Sequence, residues 1–187
     1  CAGISPVRAA TKSPRRSTGW FRCAFPARRI EPYGAPMKLV VQRVRRARVL
    51  VEDREVASIG AGLLVFCGVG RTDTPADREY LARKLANLRI FDDAAGKMNL
   101  GPREVDAQFI VVSQFTLFAD TAHGNRPSYL EAAPPAEGEA GYEAFVQLIR
   151  EAGFEVQTGV FRAHMRVELE NDGPVTLILE SQGRENP

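Results

Sequence analysis

A chain of 187 residues that is 44% hydrophobic and 26% charged has the size and composition of one globular domain with a buried core. Its formal charge of +2 conceals an asymmetry: residues 1–36 hold seven Lys or Arg against one acid, Glu31, whereas residues 37–187 hold 18 basic and 22 acidic residues, a net charge of about −4. That balance argues against strong non-specific binding to nucleic acid. The longest apolar run, 62–70, falls far short of the roughly 20 residues that span a bilayer, so no membrane insertion is expected. Cys1, Cys23 and Cys67 lack metal-ligand spacing to a second Cys or His, which fits a reduced, cytoplasmic protein without structural zinc or other cofactor.

Residues 1–36 are basic and Arg/Ser-containing and stand outside the predicted fold. They are compatible with an organellar transit peptide, a basic tail or sequence translated upstream of the true start. The last reading is preferred, because the first Met is Met37 and a strand pattern begins directly after it. The domain is placed at 37–182, with a short tail at 183–187.

From Lys38, apolar β-branched runs at 38–44, 47–52 and 56–60, with a polar turn at Asp53–Glu55, predict an antiparallel meander. Residues 62–69 form a continuous apolar run, as expected of a strand buried on both faces. Thr74, Pro75 and Asp77 supply an N-cap, a proline at the first helical position and an acid at the third, and Leu81, Leu85 and Leu88 follow at helical spacing. A turn at Gly96 separates Arg89–Asp92 from Lys97–Leu100, and Gln108–Ser113 is another buried-strand run. A second helix is predicted over 137–152, with Tyr142, Phe145, Val146 and Ile149 as its apolar stripe and Gly153 as its stop. Two last strand patterns, 154–168 with a break near Gly159 and 175–180, flank a turn at Asn171–Pro174. The fold class expected is mixed α/β (α+β), a sheet-dominated single domain with two main helices.

The usual hydrolytic equipment is absent: there is no G-x-S-x-G elbow and no H-E-x-x-H, and His123 and His164 are the only histidines. His164, in a predicted strand, reads as a structural imidazole and His123 as a surface residue. Two segments draw attention. In Ser113-Gln114-Phe115-Thr116 a hydrophobic strand runs into hydroxyl and amide side chains, which either satisfy backbone groups at a strand end or converge on a polarised carbonyl. In Asn171-Asp172-Gly173-Pro174 the residues suit an ordinary turn, although a Gly-Pro bond can also adopt cis and fix its carbonyl directions.

At these segments the sequence resembles the D-aminoacyl-tRNA deacylase (D-tyrosyl-tRNA deacylase) family, through Ser113-Gln-Phe-Thr-Leu-Phe-Ala-Asp120 and Asn171-Asp-Gly-Pro-Val-Thr176. Supporting matches are Gly60-Ala-Gly-Leu-Leu64, Arg89-Ile-Phe-Asp92, Gly96-Lys-Met-Asn-Leu100 and Arg126-Pro-Ser128. The resemblance implies a homodimer that hydrolyses D-aminoacyl-tRNA, and glycyl-tRNA with it. Gly173-Pro174 of one subunit, cis in the family, would exclude L-aminoacyl groups from the active site of the other by a built-in clash. It implies a catalytic segment of Ser113, Gln114, Phe115 and Thr116, with backbone amides around Gln114, Phe115 and Thr116 stabilising the oxyanion. Thr116 would be a nucleophile, or the tRNA 2′-hydroxyl would assist water. Phe161 and Met165 would line an adenosine pocket, though core packing accounts for them almost as well. The one dense basic cluster after Met37, which includes Arg43, Arg45, Arg46 and Arg48, is either a solvated strand face or a phosphate contact for the tRNA partner. Two rival readings are a non-catalytic dimeric RNA-binding protein of the same fold and a deacylase with relaxed chirality.

Overall fold

The computed structural model describes residues 36–181; the readings of a leader and of a tail concern residues that, apart from Pro36, lie outside this range. The architecture is the expected α+β type. Eight strands, β1 (Lys38–Val51), β2 (Arg54–Ile59), β3 (Gly62–Gly68), β4 (Phe91–Asp92), β5 (Met98–Leu100), β6 (Gln108–Ser113), β7 (Val156–Thr158) and β8 (Met165–Glu180), accompany two helices, α1 (Pro75–Ala86) and α2 (Pro135–Glu151). The main sheet runs β2-β1-β3-β6-β7, with β8 added along β1, while β4 and β5 form a separate hairpin. Pairings β3–β6 and β6–β7 are parallel and the rest antiparallel.

The two apolar runs at 38–44 and 47–52 are a single strand, not two. β8 pairs with β1 from Lys38 to Val51, which carries the strand through the polar Arg45–Arg46 step. The register moves from Val44↔Asn171 to Arg46↔Glu170, so Arg45 is one residue too many on β1, a β-bulge. An extra residue inverts the alternation that follows it. Leu39 and Val41 accordingly belong to the core under the helices, whereas Ala47 and Val49 join Val44 in a second cluster on the opposite face. The hairpin to β2 turns at Glu52–Asp53, both with positive φ (49° and 62°), the geometry of a two-residue turn matched to strand twist.

β3 and β6 are covered on both faces, as their unbroken apolar runs predict. Leu63, Val65, Phe109 and Val111 face the helices, while Leu64, Ile110 and Val112 face the second cluster. The sheet curls until β2 meets β7: the Gln157 side chain exchanges two hydrogen bonds of 2.7 Å with the backbone of Ser58. Helix α1 begins as predicted, with the Thr74 N–H and hydroxyl both donating to Asp77 Oδ2 (2.9 and 2.6 Å). Its Leu81 and Leu85 are fully buried. α2 starts two residues early, with Pro135 in its first turn, and buries the expected Tyr142, Phe145, Val146 and Ile149.

The final strands depart from expectation. The stretch 154–168 is not one broken strand: β7 is short, a turn follows, and His164 lies in the exposed segment just before β8, not within a strand. Residues 171–174 do not reverse the chain either. Both flanks, Met165–Asn171 and Thr176–Glu180, pair with β1 in the same sense, and four residues, 172–175, loop out of β8 where β1 supplies only Arg43.

Two stability predictions follow from this packing. A Cβ on Gly62 would overlap the carbonyl oxygen of Gln108 on β6 and lie 2.9 Å from that residue's backbone N and C, so Gly62→Ala forces two paired strands apart. A loss of about 3 kcal/mol is expected in urea unfolding. Asp73 accepts the Gly70 N–H (2.6 Å) ahead of α1, and burial, outweighing its backbone hydrogen bonds from Gly70 and Met37, pushes its carboxyl up to about 6. The folded state then holds this proton more tightly than an unfolded chain with an ordinary value of about 3.9. The resulting stabilisation is complete below pH ~4 and disappears as pH rises through 6. Relative to Asp73→Asn, the wild type should lose about 1 kcal/mol of unfolding free energy between pH 4 and 7, a figure reduced for the group's partial exposure.

Candidate active site

The carboxyl ends of parallel strands β3 and β6 lie side by side, with Cys67 opposite Ser113. The chain leaving β6 is turned at once, because the Gln114 N–H donates to Cys67 O (2.8 Å) and residues Phe115–Phe118 then wind into a short 3-10 helix. Leu117 and Ala119 N–H donate to Gln114 O and Thr116 O. The amides of Phe115 and Thr116 donate to no carbonyl among the described residues, as befits the first turn of a helix. Of the amides expected to stabilise an oxyanion, the one on Gln114 is therefore already used. The Gln114 side chain instead donates to the Thr116 hydroxyl.

Beside this turn lies a cavity of about 480 Å³. Ser113, Gln114 and Phe115 form one wall, and Phe161 and Met165, from the turn before β8 and its first residue, form another. The segment leading into α2 closes it with Tyr129, Ala132, Ala133 and Pro135. This segment is pinned to the end of β3 by Ala133 N–H to Val69 O and Arg71 N–H to Glu131 O, both 3.0 Å. Phe115, 56% exposed, meets Tyr129 edge-on with ring centroids 5.0 Å apart, and Phe161 lies 6.2 Å from the Tyr142 ring. Among the described residues no carboxylate, imidazole or ammonium group lines the cavity, and the one charged side chain there is Arg162. Cys67, at the strand end behind it, is fully buried, and desolvation drives its thiol far above the ordinary range, so it carries no thiolate.

Five of the residues singled out in the sequence, Ser113, Gln114, Phe115, Phe161 and Met165, thus meet in one hollow. Thr116, whose hydroxyl accepts from the Gln114 side chain, does not line it. Sequence reasoning missed Tyr129, which follows the Arg126-Pro-Ser128 landmark, and Arg162, for which the sequence offered no signal.

Gly173 and Pro174 do not line this cavity. They occupy the excursion from β8, which is braced from two sides. Asn171 Oδ1 accepts the Val175 N–H (3.0 Å) and its Nδ2 donates to Val175 O (3.2 Å), closing the loop across its base. Arg43 Nε donates to Asp172 O (3.1 Å) while its Nη1 reaches Ile90 O (2.7 Å), with Asp92 and Asp172 carboxylates each at 3.3 Å. The Gly173–Pro174 peptide bond is cis, and Gly173 has φ +128° with its missing Cβ position only 2.7 Å from Val175 Cγ2, a place for glycine alone.

The basic cluster divides. Arg43 shares the face of Leu39 and Val41 and is only 6% exposed, so it is not a free phosphate contact. Arg45, Arg46 and Arg48 are exposed, but Asp172 (2.9 Å), Glu170 (3.1 Å) and Glu168 (2.6 Å) face them across the β1–β8 ladder. Hydrogen bonding to Arg48 holds the Glu168 carboxyl below its ordinary range.

A family model described as D-Tyr-tRNA(Tyr) deacylase matches residues 40–180. The chain belongs to this family. Relatives named D-aminoacyl-tRNA deacylase include one from Thermotoga petrophila, 57% identical over 145 residues (78% of this chain, 97% of the relative). Another, from Myxococcus xanthus, is 54% identical over 151 residues (81% and 99%). Among solved structures, one described as c-Myc DNA Unwinding Element Binding Protein superposes with a TM-score of 0.74 at 37% identity, covering 78% of this chain and 99% of that one. A probable eukaryotic D-amino acid tRNA deacylase, at 18% identity and TM-score 0.66 over 77% and 98% of the chains, shares the fold. No helix among the described residues is long and apolar enough to cross a membrane.

Arg43 offers a direct check on the brace around Gly173–Pro174. Arg43→Ala leaves the Ile90 and Asp172 carbonyls without their charged donor and is expected to cost about 2–3 kcal/mol in urea unfolding. Arg43→Lys should recover less than half of this, since an ammonium presents all its donors from one nitrogen and does not reproduce the separate positions of Nε and Nη1.

Proposed function

We propose that this protein hydrolyses the ester bond between a D-amino acid and the terminal ribose of tRNA, releasing glycine from mischarged tRNA as well and sparing L-aminoacyl-tRNA. The observation that carries this reading is the convergence of Ser113, Gln114, Phe115, Phe161 and Met165 on one cavity in a member of the deacylase family.

The chemistry fits a cavity without a base. An aminoacyl ester is already activated, so positioning its carbonyl and stabilising the developing oxyanion remove much of the barrier. The free amide of Phe115, a residue of the cavity wall, is the donor for that oxyanion, with the Thr116 amide next to it on the same turn. Water attacks the carbonyl carbon, the neighbouring ribose hydroxyl relays its proton, the bond from carbonyl carbon to ribose oxygen breaks, and that oxygen takes the proton. The products are the free amino acid and tRNA with both ribose hydroxyls restored. Thr116 then orients Gln114 and needs no activation, in keeping with the absence of a general base beside its hydroxyl.

Chirality is judged by a second copy of the chain. The braced 172–175 loop lies apart from its own cavity, which supports a homodimer in which the Gly173–Pro174 segment of each subunit enters the cavity of the other. β8 pairs only with β1 among the described residues and leaves Ile178 70% exposed, a surface suited to burial between subunits. Main-chain oxygens held there would occupy the space an L side chain needs, leaving room for a D side chain or none.

The deciding measurement is release of amino acid from paired D- and L-tyrosyl-tRNA, with glycyl-tRNA as a third substrate and oligomeric state followed by sedimentation. Rapid D and glycyl cleavage by a dimer, with L spared, is expected. Equal D and L rates, or full activity from a monomer, would refute the cross-subunit filter, and a folded dimer with no turnover would favour a binding protein. Thr116→Ala should retain at least about a tenth of kcat/KM; near-complete inactivation with binding intact would identify Thr116 as the nucleophile.

A further inference from the structure

Among the described residues the cavity carries one charge, Arg162. Residues Val160–Ala163 form a turn closed by Ala163 N–H to Val160 O (3.2 Å). Within it Phe161 lines the cavity and Arg162 adopts φ +62°, left-handed backbone that favours glycine or asparagine. Glu52 and Asp53 take similar backbone in the β1–β2 turn, so what bears on function is where the Arg162 side chain stands, not its φ. Arg162 is exposed, borders the cavity and has no carboxylate within 4.0 Å among the described residues. In that respect it differs from Arg45, Arg46 and Arg48, whose charges are met across the ladder.

We propose that Arg162 binds the phosphate on the 5′ side of the terminal nucleoside and is a substrate-binding residue of this site, an inference that rests on the deacylase reading above. The lining is otherwise uncharged and suits an aminoacylated nucleoside. The first anionic group outside such an occupant is the phosphodiester joining it to the preceding nucleotide, at the mouth where a planar guanidinium can form paired hydrogen bonds with it. One free cation there gives the acidic domain an attraction for the acceptor end that its neutralised arginines do not supply.

The test compares D-tyrosyl-tRNA, the D-tyrosyl ester of adenosine 5′-monophosphate and the D-tyrosyl ester of adenosine, with wild type, Arg162→Gly and Arg162→Lys. Glycine suits the turn's φ, so the melting temperature serves to confirm folding. Arg162→Gly is expected to lower kcat/KM about five- to tenfold on both phosphate-bearing substrates, mainly through KM. The ratio of their kcat/KM to that for the adenosine ester should fall correspondingly. The dependence of log kcat/KM on log salt for the tRNA should become shallower by about 0.7, and Arg162→Lys should keep the wild-type slope. Equal losses with and without the phosphate, or no loss at all, would overturn the assignment. Wild-type protein that cleaves none of the three esters would overturn the deacylase reading and this inference with it.

Discussion

Arg43 is the only charged residue buried among the described residues, and its guanidinium ties together three parts of the chain that are distant in sequence. It holds the Ile90 carbonyl ahead of the β4–β5 hairpin, the Asp172 carbonyl in the β8 excursion, and its own place in β1. A buried cation is tolerated only where its hydrogen bonds are met, and the backbone oxygens and carboxylates around Arg43 meet them. The bulge at Arg45 completes the arrangement. By inserting one residue it lets β1 send Arg43 inward beside Leu39 and Val41 yet use Ala47 and Val49 to fill the opposite cluster. A four-residue loop can thus leave β8 without breaking the ladder on either side.

The strand ends beside the cavity are constrained in a different way. Two parallel strands finish together, and the hydrogen bond from Gln114 N–H to Cys67 O turns the chain so tightly that the next two amides donate to no carbonyl among the described residues. Donors produced by backbone geometry need no proton inventory. Their position is fixed by the sheet and their dipoles persist across pH, which suits a cavity whose lining includes no carboxylate or imidazole.

The fold class, both helices and the doubly covered strands β3 and β6 were legible because each rests on a local signal: the Thr74-Pro75-Asp77 cap, the α2 apolar stripe, the unbroken runs at 62–69 and 108–113. What failed were features fixed by pairing partners far along the chain. Separate runs at 38–44 and 47–52 look like two strands until β8 is laid beside them. Asn-Asp-Gly-Pro looks like a reversing turn until both flanks are seen to pair with the same strand. Arg43 is instructive, since the alternation Leu39, Val41, Arg43 already places it on the buried face. Its proximity to Arg45, Arg46 and Arg48 drew it into a surface cluster instead. The cavity residues on β6 and the turn after it came from motif resemblance, whereas Tyr129 and Arg162 come from connecting segments whose path no periodicity encodes.

Charge placement separates holding the scaffold from engaging substrate. Along β1 and β8 nearly every basic residue faces an acid, and exposed pairs of this kind add little stability in water. Their larger effect is on the surrounding field: opposite charges a few ångströms apart cancel beyond a Debye length, so this face offers little long-range pull on a polyanion. A protein that must release one aminoacyl-tRNA and take the next gains from such weak attraction, because dwell time is then set by what fits the cavity and not by general affinity for phosphate. Selectivity can then reside in the shape of the cavity, whose walls include the Phe115, Tyr129 and Phe161 rings.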